Sequence, residues 1–136
     1  MNLNNEYLAY LLSHIGEAGN RICFSKEETQ AKIRLIAQMR KLGLDVYTDE
    51  AGNIYGLHYA NNQNINTNES LKVVGVGSHI DSVPDGGNFD GLVGIVSGMA
   101  AIKAIKELKI ELKENVAVMA LACEESSVFR KSLLRQ

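Results

Sequence analysis

Five residues able to bind cations or move protons follow two apolar stretches of this chain. His79 and Asp81 come directly after the first stretch, and Asp90 closes a glycine-rich segment soon afterwards. Glu124 and Glu125 come directly after the second stretch. Imidazole and carboxylate groups are the ligands that zinc, manganese and cobalt accept in proteins. These residue types therefore predict a hydrolytic centre for two divalent metal ions.

The spacing of these residues indicates which of them can bind metal, orient a ligand or transfer a proton. His79 and Asp81 lie two apart, so in an extended chain they point to the same side and Asp81 can orient the imidazole. A carboxylate such as Asp90 can bridge two ions that lie about 3.5–4 Å apart. Of the neighbours Glu124 and Glu125, one can bind metal while the other takes a proton from an activated water.

The elements that must position these residues form a βαβ unit. Residues 71–77 and 115–122 are apolar apart from Lys72 and Asn115 and predict buried strands, and residues 91–109 predict the helix between them. Such strands are parallel, and their carboxyl ends share one edge of the sheet, which is where α/β proteins bind ligands. We therefore expect all five side chains to meet at that edge.

The remaining elements complete an α/β domain. Apolar residues at helical spacing predict a helix over residues 5–18, and Ser25 with Glu28 forms a capping box that opens a second helix ending near Gly43. Residues 44–48 and 54–59 predict a hairpin, and the Asn-rich residues 61–70 predict a mobile surface loop. The expected fold is a partial three-layer α/β/α domain with a mostly parallel sheet, helices on both faces and an N-terminal hairpin.

Composition restricts the class of protein. The chain has 136 residues, 46% of them hydrophobic, which suits one globular domain. The net charge of −2 and the lack of a basic run argue against nucleic acid as a partner, and no apolar stretch approaches the ~20 residues of a membrane span. The N-terminus lacks the positive segment of a secretory signal, so a cytoplasmic location with Cys23 and Cys123 as reduced thiols is expected.

Simpler interpretations apply to single features. A lone His-x-Asp is weak evidence, adjacent glutamates are usually solvated, and the glycine-rich segment alone could be a turn. Gly75 and Gly77 imitate a dinucleotide-binding fingerprint, but position 80 is isoleucine instead of glycine. Ser78 is not flanked at two residues on either side by the glycines of a nucleophile elbow.

Several motifs together resemble a known family. Residues 77–84 (GSHIDSVP), 86–91 (GGNFDG) and 124–127 (EESS) are similar to motifs of the M20 metallopeptidase superfamily. Within it they resemble the amidohydrolase branch of N-carbamoyl-L-amino acid hydrolases, allantoate amidohydrolases and β-ureidopropionases, as do residues 41–46 (KLGLDV) and 51–56 (AGNIYG). The resemblance runs from about residue 5 to residue 129.

The resemblance implies a role for each site residue. His79 would bind the first metal, Asp90 would bridge both and Glu125 would bind the second. Glu124 would be the general base, and Asp81 would orient His79. The implied reaction is hydrolysis of a linear ureido or amide C–N bond in a small molecule, and a cis peptide bond is implied after Asp90.

The resemblance also implies parts that this chain lacks. The family uses further metal-binding histidines downstream of Glu125 and a second domain that closes the site and forms homodimers, whereas His14 and His58 are the only other histidines here. Residues 130–136 are unlike the family's continuation. We therefore expect residues 1–136 to be the N-terminal part of the catalytic domain, without the dimerisation (lid) domain and with little or no activity alone. The alternative is a non-catalytic remnant or weak metal-binding module, so whether the chain is an enzyme stays open.

Overall fold

The computed structural model describes residues 5–17, 19–60 and 72–125. In chain order its elements are α1 (Asn5–Ile15), α2 (Lys26–Lys41), β1 (Asp45–Thr48), β2 (Ile54–His58), β3 (Val73–His79), α3 (Leu92–Glu107) and β4 (Asn115–Leu121). Each of these elements was predicted from sequence, with ends that shift by a few residues. The predicted loop 61–70 and the chain after Glu125, including residues 126–129 of the family resemblance, lie outside the described residues.

Helix α2 shows why the sequence forms a helix at this place. Its N-cap is Ser25, whose hydroxyl accepts a hydrogen bond from the Glu28 amide at 3.0 Å. The Glu28 carboxylate reaches back to the amide of Phe24 at 2.7 Å, one residue before the cap. At the other end Gly43, with φ of +80°, follows the C-cap Leu42 and lets the chain turn away.

The sheet is mixed, which corrects the prediction of a mostly parallel one. Its strand order is β1-β2-β4-β3, and only the β3–β4 pair is parallel. The predicted hairpin β1–β2 and the predicted βαβ unit are both present, and they join because β2 pairs antiparallel with β4. The apolar character of β4 predicts burial but not the direction of its second neighbour, so the sequence pattern could not reveal this pairing.

The described helices cover one face of the sheet. Helix α2 contacts β1 and β2, α3 contacts β3 and β4, and α1 packs against both α2 and α3. Their apolar side chains share a single core with strand residues, among them Leu35, Ile54, Ile95 and Val118, each 0% exposed. The second helical layer predicted for the opposite face is not among the described residues, and the side chain of Val73 at the edge strand is 45% exposed.

The two cysteines are joined, which corrects the expectation of two reduced thiols. A disulfide links Cys23 to Cys123, whose Cα atoms lie 5.2 Å apart although the residues are 100 apart in sequence. The bond ties the segment between α1 and α2 to the turn after β4. Neither cysteine belongs to a recognisable sequence pair, so only the fold could bring them together.

No helix among the described residues has the length and apolar character needed to cross a membrane.

Candidate metal centre

The parallel pair β3–β4 brings the ends of two strands side by side. His79 is the last residue of β3 and lies in register with Leu121, the last residue of β4. The pairing continues for one further step, since the Ile80 amide donates to the Leu121 carbonyl at 2.8 Å. The residues that follow both strands therefore share one edge of the sheet, as the βαβ pattern predicts.

His79 lies at the centre of the group. Its Nδ1 is 2.9 Å from the backbone carbonyl oxygen of Asp81. A carbonyl can only accept, so this contact places a proton on Nδ1, and in the neutral form of the ring Nε2 then carries the lone pair that can bind a cation. Nε2 faces two carboxylates, that of Asp90 at 3.7 Å and that of Glu124 at 3.8 Å.

The Asp81 carboxylate does not contact the His79 imidazole directly. Its side chain is completely buried, and its carboxylate accepts hydrogen bonds from the amides of Glu124 at 3.2 Å and Glu125 at 3.0 Å. The nearer carboxylate oxygen lies 3.8 Å from His79 Nδ1, beyond hydrogen-bond distance. Asp81 thus touches the imidazole through its backbone and fixes the Glu124–Glu125 turn through its side chain.

The carboxylates of Glu124 and Glu125 both lie close to the imidazole. Ligand atoms of His79, Glu124 and Glu125 all lie within 4.8 Å of one another. Desolvation raises the pKa of the Glu125 carboxyl above its ordinary value. A hydrogen bond with Asp90 and the negative charges of Asp90 and Glu124 raise this pKa further, whereas His79 lowers it. The edge of the sheet therefore carries a concentration of negative charge that a cation would relieve.

These distances suit a divalent metal ion. Two ligand atoms that each bind zinc at about 2.1 Å in tetrahedral geometry lie about 3.4 Å apart. The separation of His79 Nε2 from the Asp90 oxygen, 3.7 Å, is close to that value. One imidazole nitrogen with several carboxylate oxygens is also the donor set expected of zinc, manganese or cobalt. The residues present therefore fit a metal centre.

Arg21 is a contributor that sequence reasoning missed. Its side chain is 0% exposed and its guanidinium group donates to the carbonyl oxygens of Ile80, Gly87 and Asp90. Burial lowers the pKa of Arg21 from its ordinary value, and the charges of Asp90 and Asp81 oppose that shift. An arginine in the polar residues between two helices carries no sequence signal of its own.

Asn53 is a second such contributor. It lies in the turn of the β1–β2 hairpin, which was predicted only as a turn. Its side-chain oxygen accepts a hydrogen bond from the Ala122 amide at 2.8 Å. The hairpin thereby fixes the chain directly before Cys123 and Glu124.

The other histidines do not join the site. His58 is paired with Val116 near the start of β4, at the opposite end of the sheet from His79. His14 lies in α1 with its ring stacked on Tyr10, 5.3 Å between ring centroids. The described residues contain no cis peptide bond, so the one implied after Asp90 is absent; Gly91 instead adopts φ of +67°.

Comparisons with known proteins bear on this arrangement. The chain is 34% identical over 139 residues to the N-carbamoyl-L-amino acid amidohydrolase of Geobacillus stearothermophilus, a match covering 97% of this chain and 32% of that protein. It is 30% identical over 127 residues to the allantoate amidohydrolase of Bacillus subtilis, covering 91% of this chain and 29% of that protein. No protein-family model matches.

A solved structure has the same fold. The hydantoinase/carbamoylase family amidase of Burkholderia vietnamiensis superimposes with a TM-score of 0.81 at 24% identity, over 91% of this chain and 30% of that one. The chain is homologous to part of the N-carbamoyl-L-amino acid and allantoate amidohydrolases. It spans about a third of the length of the curated relatives that it matches.

Proposed function

We propose that this chain supplies part of the dinuclear metal centre of an amidohydrolase that cleaves linear ureido or amide C–N bonds in small molecules. The observation that carries the proposal is the convergence of His79 Nε2 with the carboxylates of Asp90 and Glu124 at the common end of two parallel strands. Its homology to N-carbamoyl-L-amino acid and allantoate amidohydrolases supports that substrate class.

The proposed roles follow from the placement of each group. His79 and Glu125 would each bind one ion and Asp90 would bridge the two, with zinc, manganese and cobalt all suited to these ligands. When bound, such ions supply Lewis acidity and lower the pKa of water. Glu124, whose side chain is 59% exposed beside the imidazole, would take a proton from water and deliver it to the leaving nitrogen. Asp81 would hold the Glu124–Glu125 turn in place.

A second candidate is a metal-binding module without turnover. The observation that favours it is the single imidazole at the site, which leaves each ion with two protein ligands when Asp90 is shared. Catalytic zinc sites usually have three protein ligands.

Under the first candidate, the same shortage of ligands means that the chain is only part of a catalytic domain. We infer that the remaining ligands and a dimerisation domain belong to the rest of a longer protein, and that the activity of this chain alone is low.

The proposal is tested by titrating the purified chain with Co²⁺ while recording the absorption of the bound metal. The unchanged chain should bind Co²⁺, and His79→Ala should weaken binding by about 10-fold or more because it removes the only imidazole. His58→Ala is the matched control, since it deletes a histidine at the far end of the sheet.

The outcomes separate the candidates. Equal Co²⁺ affinity of His79→Ala and His58→Ala would contradict the metal centre itself. Binding with hydrolysis of N-carbamoyl-L-amino acids or allantoate favours the enzyme over the module, whereas binding without hydrolysis is the result that both candidates expect of this chain alone.

We further propose a cytoplasmic location, with small molecules as the binding partners. The Cys23–Cys123 disulfide is the observation that weighs against this location, because disulfides persist mainly in oxidising compartments. Fractionation of cells that express the chain decides it: recovery with cytoplasmic marker proteins supports the proposal, and recovery outside the cytoplasm contradicts it.

A further inference from the structure

We propose that Arg21 is a positioning residue for the metal centre: its guanidinium group holds the loop that carries Asp90 against the strand end that carries His79. The inference rests on the proposed function, because it concerns ligands of that same site. Arg21 touches neither metal nor substrate; it acts through the backbone carbonyls of Asp90 and of Ile80, the residue that follows His79.

The hydrogen bonds of Arg21 reach both ligand-bearing segments. Nε donates to the carbonyl of Ile80 at 2.9 Å, at the residue between His79 and Asp81. One terminal nitrogen donates to the Gly87 carbonyl at 2.9 Å, and the other to the carbonyl of Asp90 at 3.3 Å. A single rigid group thus sets the distance between the end of β3 and the loop before α3.

The backbone around Arg21 reinforces this connection. The Arg21 amide donates to the Ser82 hydroxyl at 2.8 Å, and the Ser82 amide donates to the Arg21 carbonyl at 3.0 Å. The Gly87 amide donates to the Gly19 carbonyl at 3.2 Å. We call residues 19–24 the strap, since they also include Cys23, which is bonded to Cys123. The strap therefore contacts all three segments on which the candidate ligands lie.

Geometry explains why the residue is arginine. The guanidinium group has donors that point in several fixed directions within one plane, so it can satisfy three separate carbonyl oxygens at once. Lysine carries a compact charge on a flexible stem and cannot span the same three acceptors in one fixed arrangement. A charged group that is 0% exposed must also be fully hydrogen-bonded to be tolerated, which holds the loop and the arginine in one arrangement.

The experiment compares Arg21→Met, Arg21→Lys and the control Arg40→Met, which removes an exposed arginine at the end of α2. The first measurement is amide hydrogen exchange of the metal-free chain. In Arg21→Met, the amides of Ser82 and Gly87 should exchange about tenfold faster or more, with no matching change at Leu35 and Val118 in the core. Arg40→Met should change neither group.

The second measurement is the Co²⁺ titration of the same variants. Both Arg21 variants should bind Co²⁺ about tenfold more weakly than the unchanged chain, because the ligands lose their fixed separation. Arg21→Lys keeps the positive charge and most of the volume of the side chain. If Arg21→Met does not fold, the Co²⁺ affinity of Arg21→Lys tests the positioning role. A purely structural arginine would change exchange throughout the core while leaving the Co²⁺ affinity of the folded chain intact.

The outcomes distinguish the inference from the function on which it rests. If the unchanged chain binds no Co²⁺, the proposed function fails, and faster exchange confined to Ser82 and Gly87 still shows that Arg21 holds the loop. If exchange at Ser82 and Gly87 does not increase selectively in either Arg21 variant, or both variants keep the Co²⁺ affinity of the unchanged chain, the positioning role is overturned.

Discussion

At the scale of single residues, the site depends on close approach as much as on ligand chemistry. Gly91 follows Asp90 and adopts φ of +67°, in the left-handed region that favours glycine. A Cβ atom at this position would lie 2.5 Å from Nδ1 and Cε1 of the His79 ring and would also collide with the His79 carbonyl oxygen. The absence of a side chain at position 91 is what lets the Asp90 loop lie against the imidazole.

Gly91→Ala should therefore destabilise the chain and move the imidazole. We expect it to lower the free energy of unfolding by about 2 kcal/mol or more, from backbone strain and from the collision with His79. Gly87→Ala is the matched control, because Gly87 has a similar φ of +74° but open space where its Cβ would be. Urea unfolding measures the stability of both variants.

The two alanine variants separate backbone strain from contact. Gly87→Ala should cost about 1 kcal/mol and leave the NMR resonances of the His79 ring unchanged. Equal costs for both variants, with an unmoved His79 ring in Gly91→Ala, would show that Gly91 is not required to accommodate the imidazole.

At the scale of elements, the turn of the β1–β2 hairpin is hydrogen-bonded to the segment that leads from β4 to the site. The Asp49 carboxylate accepts hydrogen bonds from the backbone amide of Asn53 at 2.9 Å, from its side chain at 2.8 Å and from the Tyr55 hydroxyl at 3.1 Å. The Asn53 side-chain oxygen in turn accepts a hydrogen bond from the Ala122 amide, directly after β4. The turn of the hairpin thus has a role beyond reversing the chain.

The hairpin should weaken in acid. Hydrogen bonds from Asn53 lower the pKa of Asp49 below its ordinary value of 3.8. A lowered pKa means that Asp49 contributes stability above that ordinary value, and the contribution is lost as pH falls through the lowered pKa. Asp49→Asn should therefore melt at a lower temperature than the unchanged chain at pH 7, and the gap should narrow as pH falls below 3.8. A gap that stays constant with pH would contradict this role of the Asp49 charge.

Sequence patterns predicted the elements well and their assembly only in part. Apolar strands 71–77 and 115–122 with a helix between them were enough to predict the parallel pair, and with it the meeting of His79 with Glu124. The pairing of β2 with β4 depends on long-range packing, which no local pattern records. Arg21 and Asn53 were missed for a related reason: the groups that link their side chains to the site are backbone groups, which the types of the neighbouring residues do not reveal.

At the scale of the whole molecule, the chain forms one core with a charged centre at one edge of its sheet. The helices, strands and strap all contribute to holding that edge. His79, Asp90, Glu124 and Glu125 are thereby brought together although they come from segments up to 46 residues apart. This edge of the sheet is where we propose that divalent cations bind.

The most direct measurement uses Mn²⁺ as a paramagnetic probe of the ¹⁵N-labelled chain. Substoichiometric Mn²⁺ should broaden the amide signals of Ile80, Gly91 and Glu124 first. The amide of His58, about 17 Å away along the sheet, should stay sharp. Uniform broadening, or strongest broadening near the separate acidic residues Glu111 and Glu114, would contradict the account.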